Sequence, residues 1–490
     1  MPAYNIVSLG VYDGSMDYVG DVLLVEDGYI RGVNRRASYA RDIVVEGYVL
    51  PSFVDAHLHL TWIGLLKNGV DLSNARSPED VARQLARAQG PLAYGRGWDQ
   101  ESFTDRGTLP TRRILDQYID DRPAVAVRVC GHLAVVNTRA LEMTRVHEKY
   151  PDLVDRERGI VYEDAVEHVV NQLLNLVDVV DLVKTGLEEA YSHGIGGVSS
   201  MSCPLSEARA LKALEDRGEM PPLRVACYPR TRDLADSIAV LKGSLQAAVA
   251  GVKEFADGSL GARTAYLSRD YSDDPGNRGI RLLTSREIVD IGGRVLERGL
   301  RIAVHAIGDA ALDEVIEAYS ELQPGASGRV EHASIARRSQ IHELAGLGVH
   351  VVVQPHFRVS DWWIEDRIGG DRMEWAYPFK TMAGAGVNLA FSTDAPIEPI
   401  DPLATIKAAM SECRQRACRP EEALSQRDSI RYYTIGSAQA SGGPVAMLGK
   451  VEAGAPASLI WTSTDPASSR ISRVYWVRVP PTAQPPVSGL

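Results

Sequence analysis

Between residues 48 and 413, apolar strand-like runs alternate with helical patterns, and this rhythm constrains the fold more than any other feature of the chain. Strands are expected at 48–60, 196–201, 223–228, 251–256, 300–306, 328–332, 349–354 and 387–392. Helical patterns follow at 205–217, 285–298, 310–322, 339–346 and 403–413. Such alternation specifies an α/β fold with a parallel sheet, and eight units are the number that closes a (β/α)8 TIM barrel. An open doubly wound sheet competes, but no GxGxxG follows an early strand.

The gap from about 61 to 192 is far longer than a βα loop. It is read as an insertion after the first strand, helical at 77–88 and 168–177. Residues 1–48 and 441–490 carry short strands punctuated by glycine turns. Neither end can bury a core alone. Together they are expected to form a small β-sandwich domain beside a barrel spanning 49–440. The Pro-rich segment 480–490 is expected to fray.

The 490 residues suit this division better than a single ordinary domain. A hydrophobic share of 45% excludes a disordered chain. The net charge of -11 argues against nucleic-acid binding, which needs a basic surface. No uninterrupted apolar run approaches the ~18 residues of a membrane span. The first residues lack a basic region followed by an apolar core, so no signal peptide is expected. Cys130, Cys203, Cys227, Cys413 and Cys418 form no CxxC and are expected to be free thiols. A soluble, cytoplasmic protein is expected, acting as a homodimer or other homo-oligomer on a small molecule.

The chemistry begins at Asp55-Ala56-His57-Leu58-His59, where the first strand ends. Side chains at i and i+2 on a strand share a face, so two imidazoles can converge on one cation. One such pair is weak evidence, because histidines on strands are often only hydrogen-bonded structure. His305 and His332 also end expected strands, and Asp394 follows the eighth. Active sites of β/α barrels are built at these C-terminal strand ends. Four histidines and an aspartate make a nitrogen and oxygen ligand set for zinc or a similar divalent ion.

Lys253 lies in Gly251-Val252-Lys253-Glu254. A buried ammonium facing a metal cation is costly. Carboxylated by CO2, it becomes an anion able to bridge two metals. Two alternatives stand beside this: a plain cation paired with Asp257 or Asp394, or Glu254 as the ligand. Alternation puts Lys253 and Glu254 on opposite faces, so one of them points inward. Trp98 and Asp99, in a Gly-rich turn of the insertion, are candidates for substrate contact. So are Arg263, which could grip a carboxylate, and His356 after the seventh strand.

In order along the chain, LPSFVDAHLHL (50–60), GRGWDQESF (95–103), GVKEFADGSLGARTAYL (251–267), VHAIGDAAL (304–312), RVEHAS (329–334) and NLAFSTDAP (388–396) resemble the metal-dependent amidohydrolase superfamily. The likeness is to the large-insertion branch that includes the N-substituted formamide deformylases, and it spans nearly the whole chain. The resemblance implies a (β/α)8 barrel, a sandwich from both termini and one or two metals. By position, His57, His59 and Asp394 would hold one metal and His305 and His332 a second. Carboxylated Lys253 would bridge them. His132 would be the insertion histidine that meets substrate. This chain departs from the pattern at Glu254, Ser392-Thr393, Ser458 and 197–201.

The expected reaction is hydrolysis of an amide, formamide or cyclic amide C–N bond by a metal-activated hydroxide. Asp394 would take the proton and pass it to the leaving nitrogen. Lys253 and Asp394 are thus the expected catalytic residues. A heterocycle deaminase is the alternative, disfavoured by the bridging lysine that such relatives lack. A non-catalytic scaffold of the same fold is a further one, disfavoured because every ligand position is retained.

Overall fold

A computed structural model describes residues 3–105, 108–411 and 419–477. Its core is two parallel sheets. One has the order Ala247–Val249, Arg224–Tyr228, Ile195–Met201, Phe53–Leu58. The other runs Gly251–Phe255, Arg301–Ala306, Gly328–His332, His350–Val353, Asn388–Phe391. The eight core strands are the first to last of these in chain order, with 247–249 leading into the fourth. Backbone hydrogen bonds cross both seams between the sheets. Ala250 donates to Cys227 and Lys253 to Pro229, each at 3.0 Å. On the other side Asp394 donates to His57 at 2.7 Å and His59 to Ala395 at 2.8 Å.

Gly251 makes the first seam possible. A Cβ there would lie 2.4 Å from the Arg301 carbonyl oxygen and 2.5 Å from the Tyr228 ring. Only a residue without a side chain lets the strand cross from one sheet to the next at that spacing.

The expected helices lie between the strands with small shifts of their ends. Ser285–Leu296 opens on a capping box, Thr284 with Glu287, and buries Ile288 and Val295. Pro402–Ala409 starts behind the Asp401 cap. The expected 403–413 helix otherwise runs into positions outside the described residues, as do Cys413, Cys418 and the tail beyond 477. Cys130, Cys203 and Cys227 are free. No helix among the described residues is long and apolar enough to cross a membrane.

Two expectations are corrected. The apolar run 48–60 is not one strand. Tyr48–Pro51 belongs to the terminal sheet and Phe53–Leu58 to the core, with the break at Ser52. Ser52 is held by Ser458, backbone to backbone at 2.9 Å and hydroxyl to hydroxyl at 2.7 Å. The insertion has helices at both stretches expected for them, 77–88 and 168–177, but it is built on an unexpected six-stranded sheet. Its order is Val154–Asp155, Ile160–Tyr162, Leu133–Val136, Ala124–Arg128, Ala93–Trp98, Val70–Asp71. Helices Pro78–Leu85 and Asp164–Leu173 accompany it.

Both chain ends enter one seven-stranded sheet. Ala3–Tyr12, Tyr18–Glu26, Tyr29–Val33, Arg41–Val44 and Tyr48–Pro51 are joined there by Leu459–Thr462 and Tyr475–Trp476. Ile6, Leu23, Val25, Val49 and Leu459 pack together on it.

Candidate active site

The first core strand delivers His57 and His59, and the turn after the eighth delivers Asp394. Nε2 of His59 lies 3.0 Å and Nε2 of His57 3.3 Å from Asp394 Oδ1. One ligand atom from each of the three lies within 4.8 Å of the others. Asp394 reaches this point from a left-handed backbone, φ 58°. Asp55 ties the two strand ends together, accepting from the Thr393 hydroxyl at 2.7 Å and the Tyr433 hydroxyl at 2.8 Å.

The outer partners fix which nitrogen each imidazole offers. His57 Nδ1 lies 2.6 Å from Glu331 Oε2, and His59 Nδ1 lies 3.0 Å from the Met201 carbonyl oxygen. A carboxylate and a carbonyl only accept, so both Nδ1 atoms carry the hydrogen. Both Nε2 lone pairs then face the Asp394 oxygen. Three acceptors turned on one another, with Lys253 Nζ on the His57 side as the one nearby donor among the described residues, are repulsive unless a cation sits among them. Nitrogen and carboxylate donors in this number suit a divalent ion, so the residues fit a metal.

His332 and His305 complete the wall. His332 Nδ1 is 2.7 Å from Gln354 Oε1, leaving Nε2 free. His305 is reversed: its Nε2 donates to the Gly258 carbonyl at 2.9 Å, leaving Nδ1 free. The His305 and His332 ring centres are 4.4 Å apart, and those of His57 and His332 5.0 Å. His332 and Ala333 have φ of 75° and 46°. That turn breaks strand alternation, so Glu331 and His332 both reach the site.

Lys253 points inward, 1% exposed, with Nζ 3.4 Å from His57 Nε2. Burial lowers its ammonium to about 8 against the upward pull of Glu331 and Asp394. Glu254 turns the other way and accepts from Arg230 Nε at 2.9 Å and from the Thr231 amide and hydroxyl at 2.9 and 2.7 Å. Asp257 is committed to the amides of Ile307, Gly308 and Tyr266 at 3.0, 2.8 and 2.8 Å. Neither carboxylate is therefore available to the roles left open for it.

Two cavities meet at this centre, sharing Cys130, His132, His332, Asp394 and Ile397. His132 stands between them. Its Nδ1 is 2.5 Å from Glu163 Oε2, whose other oxygen accepts from Thr264 at 2.6 Å. Burial lowers the imidazole's pKa, but Glu163 outweighs it and raises it to about 9. Asp99 lines the second cavity and pairs with Arg128 Nη2 at 2.6 Å.

Three expected substrate contacts lie elsewhere. Trp98 is fully buried in the insertion, stacked on Phe103 and donating to the Ala126 carbonyl at 3.0 Å. Arg263 pairs with Asp273 at 2.9 Å and lines a separate groove, so it locks its loop. His356 pairs with Glu398, and of the two only Glu398 lines the second cavity. Sequence reading missed Glu331, Gln354, Glu163, Arg128, Asp361 and Tyr377. Glu331 had a signal, two residues from Arg329 and beside His332. Asp361 and Tyr377, joined hydroxyl to carboxylate, had none. Burial pushes the Asp361 carboxyl up to about 7; the Tyr377 bond opposes this and Glu398 adds to it.

The amidohydrolase family model matches residues 46–482. A putative amidohydrolase of Bacillus subtilis, YtcJ, is 29% identical over 467 residues, covering 85% of this chain and 86% of that protein. The N-substituted formamide deformylase of Arthrobacter pascens is 24% identical, covering 85% and 84%. Among solved structures, an uncharacterized metal-dependent hydrolase from Pyrococcus horikoshii is 33% identical with a TM-score of 0.81, covering 96% of this chain and 99% of that one. The match takes in both core sheets, the insertion and the His57, His59 and Asp394 group, and the chain belongs to the amidohydrolase family.

Proposed function

We propose that this hydrolase is metal-dependent and cleaves the C–N bond of an amide, formamide or cyclic amide in a small molecule. The observation that carries the reading is the trio of acceptors, His57 Nε2, His59 Nε2 and Asp394 Oδ1, which lines the first cavity and through Asp394 borders the second. His57, His59 and Asp394 would hold one zinc ion, with His305 and His332 holding a second. Lys253 would bridge them as a carbamate. Its neutral amine attacks the carbon of CO2, forms an N–C bond and releases one proton. Its burial and its place beside His57 support that role. A metal bound there supplies Lewis acidity and a hydroxide nucleophile at neutral pH.

The remaining work falls to side chains. Asp394 accepts the proton released as the nucleophile adds, then delivers it to the leaving nitrogen. His132, held by Glu163, donates to the carbonyl oxygen as negative charge grows there. The frame is read as a closed (β/α)8 barrel at 49–440 with the insertion at about 61–192. A β-sandwich of 1–48 with 441–490 sits beside it. The seam hydrogen bonds and the shared terminal sheet support this. The protein is read as cytoplasmic and homodimeric, or a larger homo-oligomer.

The test is a screen of N-formyl, N-acyl and cyclic amides with zinc-loaded protein, with Asp394→Asn as control. Turnover of at least one class, lost in the variant, is expected. A zinc-loaded, folded protein that hydrolyses none of them overturns the reading.

A further inference from the structure

The second cavity opens from the candidate metal centre and is lined by charged side chains and an apolar wall. The wall is Leu260, Ile307, Phe357, Trp363 and Tyr377. The charges are Asp99, Arg128, Asp361, Glu398 and the shared His132 and Asp394.

All but one of these charges are already answered. Arg128 gives Nη2 to Asp99 at 2.6 Å and Nε to Gln100 at 2.7 Å. Its third nitrogen lies under the Gly261 backbone, where an added Cβ would be 2.6 Å from Nη1. That guanidinium is part of the wall, and its charge is answered by Asp99. His132 belongs to Glu163. Glu398 takes His356 and the Ser360 hydroxyl. Asp394 belongs to the metal group.

Asp361 is the exception. One of its oxygens accepts from the Tyr377 hydroxyl. Among the described residues no Lys, Arg or His lies within salt-bridge distance of it, and its other oxygen accepts no hydrogen bond. Its backbone is pinned, its amide donating to Phe357 at 3.0 Å and its carbonyl accepting from Ile364 at 3.0 Å. A fixed, partly buried carboxylate that lines a cavity with no cation in contact carries a desolvation cost that a cationic partner relieves. Phe357 and Tyr377 line the same cavity and offer aromatic surface to such a partner, while Trp363 already carries the Arg367 guanidinium over its ring at 4.9 Å. Arg128 offers an anionic tail only Nη1, on a charge that Asp99 already answers.

We propose that this cavity selects the substrate by a cationic tail: an ammonium group seats on Asp361 against Phe357 and Tyr377 while the amide lies at the His57, His59 and Asp394 end. This deepens the proposed function and rests on it. The substrate class is then a small amide or formamide whose amine portion carries a second, protonated amine.

The experiment compares N-acetyl and N-formyl derivatives of straight-chain diamines, with spacers of two to six carbons, against N-alkyl amides with methyl in place of the ammonium. A third set carries a carboxylate there. Zinc-loaded wild-type protein is expected to favour an ammonium substrate of one spacer length by about tenfold or more in kcat/KM, mostly through KM. Asp361→Asn is expected to collapse that ratio towards one, and Asp361→Glu to retain part of it. A second readout needs no turnover. Straight-chain alkylammonium ions, titrated calorimetrically into wild-type protein, should bind more tightly than the matching alcohols. Equal or better use of neutral or carboxylate-tailed amides overturns the inference while leaving the amidohydrolase reading intact. A ratio unchanged in Asp361→Asn, or equal binding of the ammonium ion and alcohol, also overturns it. Hydrolysis of no amide in any set, with ammonium binding intact, defeats the proposed function instead.

Discussion

His57 Nδ1 and Glu331 Oε2 lie 2.6 Å apart, fully buried, and Arg329 Nε holds the other Glu331 oxygen at 2.8 Å. The chain Arg329–Glu331–His57 therefore sets the imidazole's tautomer and angle from behind. Arg329 also donates to the Ala56 carbonyl at 2.7 Å, on the strand that carries His57. Partners of this kind typically govern metal affinity by about 10- to 100-fold. Glu331→Gln keeps the volume and loses the charge. Its zinc affinity, measured by competition with a chromogenic chelator, is expected to fall by that factor. An affinity within twofold of wild type would remove Glu331 from any role at the metal.

Asp394 is expected to act in the reaction as well as in holding the ion. Asp394→Asn should lower kcat by about 10²–10⁴-fold, the range for a lost general base or acid. Metal content must be measured beside it. A variant that keeps its full metal load yet loses turnover separates the proton-transfer role from the ligand role. Full activity in that variant would dismiss the role altogether.

Lys253 gives a chemical signature. Its side chain is enclosed and points at His57, so a carbamate there would be shielded from bulk water. Protein incubated with carbon-13 bicarbonate and zinc should show a carbamate carbon resonance that Lys253→Ala lacks. Lys253→Ala should also bind less zinc per chain and lose most activity. If wild type and variant give the same spectrum, the bridge is not a carboxylated lysine.

The candidate metal ligands were legible because they obey two local rules. They end strands, and on the first strand they are two residues apart, which strand geometry turns into a shared face. Lys253 and Glu254 were legible as an either-or for the same reason, and Glu254 resolves it by pairing with Arg230 and Thr231. The insertion sheet was not legible. Its strand Ala124–Arg128 is buried on both faces, so it shows no alternation to read. Trp98 and Asp99 are neighbours with opposite fates, one in the insertion core and one at the cavity. Arg263 and Arg128 look alike in sequence. Arg128 ends a strand of the insertion sheet and Arg263 lies in a loop, and only the fold decides which lines the second cavity. Asp361 meets Tyr377 across a loop, a pairing that no spacing encodes.

His350 opens the seventh core strand, at the end away from the metal group, and its titration should contribute to acid stability. Burial, with Arg301 and Arg329 nearby, lowers its imidazole from 6.5 to about 3. Its Nδ1 is buried without a hydrogen-bond partner. Between pH 6.5 and about 3 the unfolded chain takes up a proton that the native state refuses. Stability contributed by the neutral ring is therefore complete above pH 6.5 and is lost progressively as the pH falls through that window. By pH 5 the loss amounts to about 2 kcal/mol, because each tenfold rise in proton concentration across the window costs ~1.4 kcal/mol. His350→Gln removes the titration and keeps a polar group of similar size. Its denaturant midpoint should be close to or below that of wild type at pH 7.5. As the pH falls to 5, the midpoint of wild type should drop more steeply than that of the variant, in protein stripped of metal so that ligand protonation does not contribute differently to the two. Parallel pH profiles for the two proteins would mean that His350 is solvated or already paired in the native state.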